Sequence, residues 1–462
     1  MKLILLSGGS GKRLWPLSNY SRSKQFLKVL QRADGQLESM VQRVWSQLER
    51  ANLAAHASIA TGKDQADLIH SQLGPHVPVI VEPERRDTFA AIALSASWLY
   101  SVQGADLAET VVILPVDPFV EDPFFERLKL LEAVLDESGA EIALMGVTPT
   151  HPAEKYGYMV PAGPAGGKTG YFTVNRFVEK PSAEAAAELI RQQALWNCGV
   201  FAFRLGFMLR LLEERGLPVR FDELVRQYHR LPKVSFDYEV AENTRHIAAL
   251  RYDGYWKDLG TWNTLTEEIR TPVIGKGMVG EDCLNVHVVN ELHIPVVVLG
   301  LSNVVVSASY DGILVTDKAA SPRLKDLIDR VDDRPMTEEC RWGSYRTLDF
   351  QVYPGGREVL TKRVVIHRGQ HFGYHWHANR TEVWTILSGE GEMVMDGRMI
   401  RVQAGETYRI PPHTRHAIRA LSELEMVEVQ IGSELTEEDV HRVAADWEEI
   451  VGLTIADKGG GY

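Results

Sequence analysis

The feature that most limits how this chain can fold is a change of rhythm along it. Over the first ~265 residues, short β-rich runs alternate with segments whose apolar residues recur every three or four positions. That alternation belongs to a mainly parallel sheet flanked by helices. Leu3–Ser7, Ala57–Thr61, Val79–Val81, Val111–Leu114 and Ile142–Val147 read as strands, and Leu37–Leu48 and Thr88–Leu99 as helices. From about Asp282 to Asp317 the pattern turns to short Val- and Ile-rich runs between turn residues, which suits either a short β-solenoid or a packed sheet. Asp326 to Met336 is charged and reads as a linker. Arg341 to about Ile431 is β-rich with frequent Gly turns, the pattern of a small barrel or double-sheet roll. Thr436 to Ile450 reads as an acidic amphipathic helix, and Gly459–Gly461 as a frayed end. The expected division is therefore an α/β, Rossmann-like domain at 1–270 with a mixed, mainly parallel sheet, a β-rich segment and linker at 271–335, a β-barrel at 336–435, and a helix and tail at 436–462.

A chain of 462 residues exceeds one ordinary core, in keeping with that division. Its net charge of -12 argues against a nucleic-acid partner or an anionic-membrane surface, both of which need clustered cations. Small phosphate esters need only a few local cations and stay open. Cys198, Cys283 and Cys340 are widely spaced with no CxxC pair, which fits a reducing compartment. The apolar run Leu3–Leu6 is cut by Ser7-Gly8-Gly9, too early for a signal peptide, and no stretch approaches the roughly 18 apolar residues of a membrane span. A cytoplasmic protein is expected.

Strand Leu3–Ser7 runs directly into Gly8-Gly9-Ser10-Gly11-Lys12-Arg13. Glycines there let the backbone turn sharply and aim N–H groups at an anion, and two cations follow at once. It is not a dinucleotide fingerprint, because the third Gly is missing. Nor is it a Walker A loop, because Arg13 stands where Ser or Thr should meet magnesium. The plainer alternative is a Gly-rich strand-to-helix turn with no ligand.

The continuation sharpens it. Leu14-Trp15-Pro16-Leu17 and then Lys24-Gln25-Phe26 complete a run that resembles the GGxGxRLxPL signature of sugar-1-phosphate nucleotidyltransferases, nearest to the mannose-1-phosphate guanylyltransferases. Ser23 stands where that family usually has Pro, and Lys12 where Thr is common. Glu82-Pro83-Glu84 with Arg86-Asp87-Thr88 resembles the EPxxRNT segment beside the base, Asp87 replacing Asn. Leu114-Pro115-Val116-Asp117 resembles LPADH, and Trp256-Lys257-Asp258-Leu259-Gly260 resembles W-x-D-V-G, whose acids bind magnesium. Tyr156-Gly157-Tyr158, Phe177-Val178-Glu179-Lys180-Pro181 and Trp196-Asn197-Cys198-Gly199 resemble the sugar-side segments of the same family.

The resemblance implies a transferase that joins a nucleoside triphosphate, GTP, to mannose 1-phosphate with Mg2+, acting as a homo-oligomer. It places the nucleotide on Gly8, Gly9, Gly11, Glu82, Arg86, Asp87 and Thr88. The sugar phosphate falls on Tyr156, Gly157, Glu179 and Asn197, and the chemistry on Arg13, Lys24, Asp117, Lys180 and Asp258. Residue chemistry agrees. Phosphoryl transfer needs placement and charge neutralisation more than covalent help. Magnesium asks for one or two carboxylates, which Asp117 and Asp258 supply. Arg13 and Lys24 suit the triphosphate, and Lys180 the incoming phosphate. Another hexose or heptose 1-phosphate, or another base, stays open.

In the β-rich C-terminal part, Gly369 is followed by His375, His377, Glu382 and Gly389, and later by Gly405, Pro411 and His416. On a strand, His375 and His377 face the same side, so Glu382 and His416 can close a three-His, one-carboxylate site. Imidazole with carboxylate suits a divalent transition metal, Zn, Fe, Mn, Co or Ni. The spacing matches the cupin motifs and resembles the C-terminal cupin of bifunctional guanylyltransferase/phosphomannose isomerases. There Arg380 falls on an active-site Arg. His375 stands where those isomerases have Gln, Asn379 where they have His, and Val383 replaces a His. An isomerase and a metal-binding module without isomerase activity both remain open.

Overall fold

The computed structural model describes residues 1–9, 11–328, 330, 335–433 and 435–456. The chain divides into two compact units, Met1–Ser307 with Leu314–Asp329, and Ala308–Ile313 with Arg330–Tyr462.

The first unit is built on nine strands: β1 (Lys2–Ser7), β2 (Ala57–Gly62), β3 (Val79–Glu82), β4 (Thr110–Pro115), β5 (Ile142–Val147), β6 (Gly157–Pro161), β7 (Phe172–Glu179), β8 (Leu195–Arg204) and β9 (Ile247–Tyr252). They lie in the order β3-β2-β1-β4-β8-β5-β9-β7-β6, with β8 also meeting β6. The sheet is mixed. β3, β2, β1 and β4 run parallel, as do β5 and β9, while β8 joins its neighbours antiparallel. β1, β2, β4 and β5 are buried along nearly their whole length, because helices cover both faces. One face packs Leu3, Leu5, Ile59 and Val112 with Val44 and Leu48 of helix Met40–Arg50. The other packs Ile4, Ile80 and Ile113 with Phe89, Ile92 and Leu94 of helix Asp87–Ser101. The carboxyl ends of the parallel strands, at Ser7, Gly62, Glu82 and Pro115, open on one crevice, where ligands of such sheets bind.

Two local readings change and one open choice is closed. Leu37–Glu38 is not helical: it pairs with Leu30–Gln31, and the helix starts at Met40 behind a capping box between Ser39 and Gln42. The β-rich segment is a solenoid in its pairing. Val273–Gly275 lies parallel to His287–Asn290, and Gly277–Val279 parallel to Val296–Val298, so successive coils stack in register. Within the expected linker, Asp326–Ile328 close a short helix, Leu324–Ile328, whose Leu324 and Ile328 are buried. Residues 329 and 331–334 lie outside the described residues.

The second unit packs a six-stranded sheet against a five-stranded one. The first includes Arg357–Ile366, Leu424–Gly432 and Arg380–Ser388; the second includes Glu390–Met395, His416–Ala420, Tyr374–Trp376 and His441–Ala444. Val364, Ile366, Trp384, Ile386, Met393, Val402, Ile418 and Met426 fill the space between. The expected helix at 436–450 is corrected. Glu437–Asp439 is a single turn, His441–Ala444 is a strand paired with Tyr374–Trp376, and the helix runs Trp447–Ala456. Asp446 accepts from the Glu448 amide and so starts the helix after the strand instead of before it. The Gly459–Gly461 end lies outside the described residues. Among the described residues, no helix is long and apolar enough to cross a membrane.

Candidate active site and metal centre

Two cavities meet in the first unit. The larger, about 600 Å³, is lined by Gly8 and Gly9 of the loop after β1 and by Glu82, Arg86, Asp87 and Thr88 at the end of β3. Gly11 lines neither cavity. It makes the turn, since a Cβ there would collide with the Asn19 carbonyl, and its own carbonyl accepts from the Ser18 hydroxyl. The smaller cavity, about 230 Å³, is lined by Arg13, Lys24, Lys155, Tyr156, Gly157, Glu179, Lys180, Asn197 and Asp258. Asp117, at the end of β4, lines both. All five expected transfer residues thus border one chamber, and the nucleotide- and sugar-side segments border opposite ends of the pair.

At the junction, acids and ammonium groups alternate. Asp258 sits in a short strand, Trp256–Asp258, whose pairing with Pro118 brings it beside Asp117. Lys24 Nζ lies 2.7 Å from Asp117 Oδ2 and 3.5 Å from Asp258 Oδ1, and Lys155 Nζ lies 3.3 Å from Asp258 Oδ2. Burial opposes the charge on Lys24, but Asp117 and Asp258 outweigh it and hold the ammonium above its ordinary range. For Asp258, burial works against ionisation and the two lysines overcome it, so its carboxyl is held low. Two carboxylates that both reach Lys24 Nζ suit a hard divalent cation that also takes phosphate oxygens.

At the far end of the small cavity, Lys180 Nζ is 3.1 Å from Glu179 Oε1 and 5.6 Å from the Tyr238 ring centre. Burial pushes the Glu179 carboxyl up. Gly157 is needed for close approach: a Cβ would stand 2.6 Å from Glu179 Oε2 and 2.7 Å from Phe177 Cζ. Tyr156 packs on Trp196 and Trp256, at 4.8 and 5.3 Å between ring centres. In the large cavity Glu82 is buried and accepts from the Tyr228 hydroxyl at 2.7 Å, and burial raises its pKa. Asp87 opens its helix at a positive φ of 67°, with Oδ1 accepting from the Thr88 amide. Arg86 is tied to Glu84 and to the Leu231 carbonyl.

Sequence reasoning missed Arg85, Lys155, Lys233 and Asp237, which also line these cavities. Lys155 had a signal, a cation one residue before the Tyr156-Gly157 loop. Lys233 and Asp237 had none, because Pro232 marks only a turn and nothing else in the Leu231–Ala241 stretch marks a ligand-facing side chain.

In the second unit, His375, His377 and His416 place ring nitrogens within 4.8 Å of one another. Strand pairing sets His375 opposite His416. Glu382 closes the cluster, Oε1 3.1 Å from His377 Nε2 and Oε2 3.4 Å from His416 Nε2. The Nδ1 atoms face the backbone: His375 toward Gly373 O at 2.7 Å, His377 toward Asp439 O at 2.9 Å, His416 toward Thr414 O at 2.9 Å. Rings fixed through Nδ1 turn their Nε2 atoms to the centre, the arrangement metal ligands need. Burial and then His416 push the His375 ring down to about 3, so it stays neutral. His377 Nε2, His416 Nε2 and Glu382 Oε2 are buried without a hydrogen-bond partner. Buried groups of this kind are costly unless something binds them, and a transition metal fits the set. Arg380 is buried too, with Nη2 2.9 Å from His377 Nδ1 and Nη1 3.4 Å from Gln430 Oε1.

A glycine-rich loop at the carboxyl edge of an α/β sheet, two joined cavities and paired acids between ammonium groups define an enzyme of nucleotidyl transfer, here followed by a double-sheet domain that carries three clustered imidazoles. The family profile described as nucleotidyl transferase matches residues 2–271, and that of the cupin domain matches residues 362–430. The chain belongs to the nucleotidyl transferase family. It is similar to xanthan biosynthesis protein XanB of Xanthomonas campestris pv. campestris, with 30% identity over 95% of this chain and 97% of that one. It is also similar to mannose-1-phosphate guanylyltransferase RfbM of Salmonella typhimurium, with 27% identity over 95% and 96%. A crystal structure described as a mannose-1-phosphate geranyltransferase from Thermus thermophilus superposes with a TM-score of 0.61 at 29% identity, covering 72% of this chain and 99% of that one.

Proposed function

We propose that the enzyme joins GTP to mannose 1-phosphate, forming GDP-mannose and releasing pyrophosphate. The observation that carries this reading is the meeting of the two cavities at Asp117, with Lys24, Lys155 and Asp258 around it. A phosphate oxygen of the sugar phosphate, held by Lys180, attacks the α-phosphorus. The bond to the bridging oxygen breaks in line, and pyrophosphate leaves toward Arg13 and Lys24. Asp117 and Asp258 would hold magnesium, which when bound supplies charge neutralisation to the phosphates. The small cavity suits a monosaccharide, with Glu179 and Asn197 as hydroxyl partners. Guanine offers two adjacent N–H donors, and the large cavity offers Glu82 and Asp87 as carboxylate acceptors. A pyrophosphate-release screen of nucleoside triphosphates against sugar 1-phosphates tests this. Turnover roughly tenfold better with UTP or dTTP than with GTP would sink the base assignment, since that ratio is a full 1.4 kcal/mol in the barrier.

For the cupin, the placement of Arg380 favours a metal-holding module over an isomerase. Its guanidinium is buried against Glu382, Gln430 and Asp439, so it braces the ligand carboxylate rather than facing a substrate phosphate. Interconversion of fructose 6-phosphate and mannose 6-phosphate by metal-loaded protein, lost in His377→Ala, would reverse that reading.

A further inference from the structure

The small cavity contains a carboxyl group that the transfer chemistry leaves unused. Asp237 borders both cavities and opens a single wide, π-type helical turn, Asp237–Ala241. Such turns are uncommon and gather at functional sites. Its Oδ1 accepts from Asn197 Nδ2 at 2.9 Å, and Asn197 Oδ1 accepts from the Gly199 amide at 3.0 Å. The Asn197 amide is therefore pinned at both ends, with one N–H and one lone pair left to offer a ligand. Lys180 pairs with Glu179 and reaches Asp237 only through its charge, so the side-chain hydrogen bond of Asp237 goes to a neutral amide, that of Asn197. A carboxylate can take about four hydrogen bonds, and burying one with fewer is costly. An asparagine would start the same turn and hold Asn197 without that cost, so packing alone does not explain an acid here.

We infer that Asp237 is a specificity-determining residue, whose carboxyl accepts a hydroxyl of the sugar while holding the Asn197 amide toward a second one, so that the pair reads the stereochemistry of the ring. The inference rests on the proposed assignment of this cavity to the sugar 1-phosphate, and not on which base is used. A hydroxyl in the right position completes the partners of Asp237. An epimer leaves a half-buried carboxyl short of one, and sites built around polar partners turn that shortfall into strong discrimination. Burial, then the neighbouring Glu179, push the Asp237 carboxyl up to about 7, as expected of a group kept at a cost to the fold.

The test is Asp237→Asn in the full chain, which keeps an oxygen for Asn197 and removes the charge. Steady-state kinetics with mannose, glucose and galactose 1-phosphates are compared with nucleotide Kd by equilibrium titration. We expect kcat/KM for the best sugar to fall relative to its epimers by roughly tenfold or more, through a raised KM, while nucleotide Kd moves by less than about threefold. An unchanged sugar ratio would overturn the inference and leave Asp237 as a turn-former. Should Asp237→Asn lose nucleotide binding, Asp237→Ser is read in the same way; loss of nucleotide binding in both also overturns it. The wild-type panel separates this from the substrate assignment. A wild type that prefers another sugar refutes mannose, and the variant's ratio still decides the role of Asp237.

Discussion

Lys24 touches both acids at the centre of the transfer site, so a change to Asp117 or Asp258 also takes one of the two carboxylates from its ammonium group. Asp258→Asn removes one carboxylate from that set and leaves Lys155 without its partner. Turnover should fall by about 10²–10³-fold, the usual cost of one charge-stabilising group, with the melting temperature little changed. Near-normal turnover at limiting magnesium would refute the assignment. Gly157→Ala tests the wall of the sugar cavity. The added methyl meets Glu179 and Phe177, and overpacking of that kind costs about 1–3 kcal/mol, so weaker sugar-phosphate binding and lower stability are expected together. For Asp237 the sign of the pH dependence can be worked out. A carboxyl raised from 3.8 to about 7 is bound more tightly to its proton in the fold. Its contribution is intact below the unfolded value and is lost as pH rises toward the folded one. Glu179, Lys180 and the Asn197 amide surround it in both proteins, so the comparison with Asp237→Asn isolates it. The melting temperature of the variant minus that of the wild type should be near zero at acid pH and grow up to neutrality. A flat difference would contradict the burial argument. Most of this site was legible at the level of single residues, because glycines, acids and lysines fell in ordered segments. Asp237 was not, because an acid five residues after a turn proline looks like any surface acid until the fold sets it at the edge of two cavities.

At the scale of elements, the segment after the cupin motif matters most. Glu437, Glu438, Asp439, Glu448 and Glu449 lie among apolar residues at helical spacing, and period alone cannot separate that from a turn and an edge strand. Pairing with Tyr374–Trp376 decides it, and pairing is a property of the folded barrel. The consequence is that Asp439 backs the metal centre from outside the motif. Its carbonyl fixes His377, and its carboxylate accepts from the amides of Ala378 and Asn379 at 2.9 and 3.2 Å. Asp439→Ala should lower metal affinity by about 10- to 100-fold, the range for outer partners of metal ligands. Competition with a chelating dye measures this without any assay of activity. Unchanged affinity would show that the carbonyl alone holds His377.

Across the whole molecule, the transfer residues from Gly8 to Asp258 belong to one unit and the imidazole cluster to the other. His377→Ala should therefore empty the cupin of metal by elemental analysis and leave pyrophosphate release near the wild-type rate. A folded variant that lost pyrophosphate release would show that the two chemistries are coupled. Truncation after Met336 is a harsher experiment, because residues 308–313 cluster with the second unit. There the Met336 amide donates to Asp311 at 2.7 Å, and the Arg346 guanidinium lies 4.3 Å from the Tyr310 ring centre. Between its two ends the chain thus passes three times from one unit to the other, at 307–308, 313–314 and 329–330. The passage has a bearing on ancestry. A single genetic crossover near residue 330 would give the descendant a barrel from one parent and the turn that supports it from the other. Such hybrids would keep these contacts only where Asp311 still met the amide at 336 and residue 310 still suited residue 346, so this barrel is less separable from the rest of the chain than its position at the end suggests.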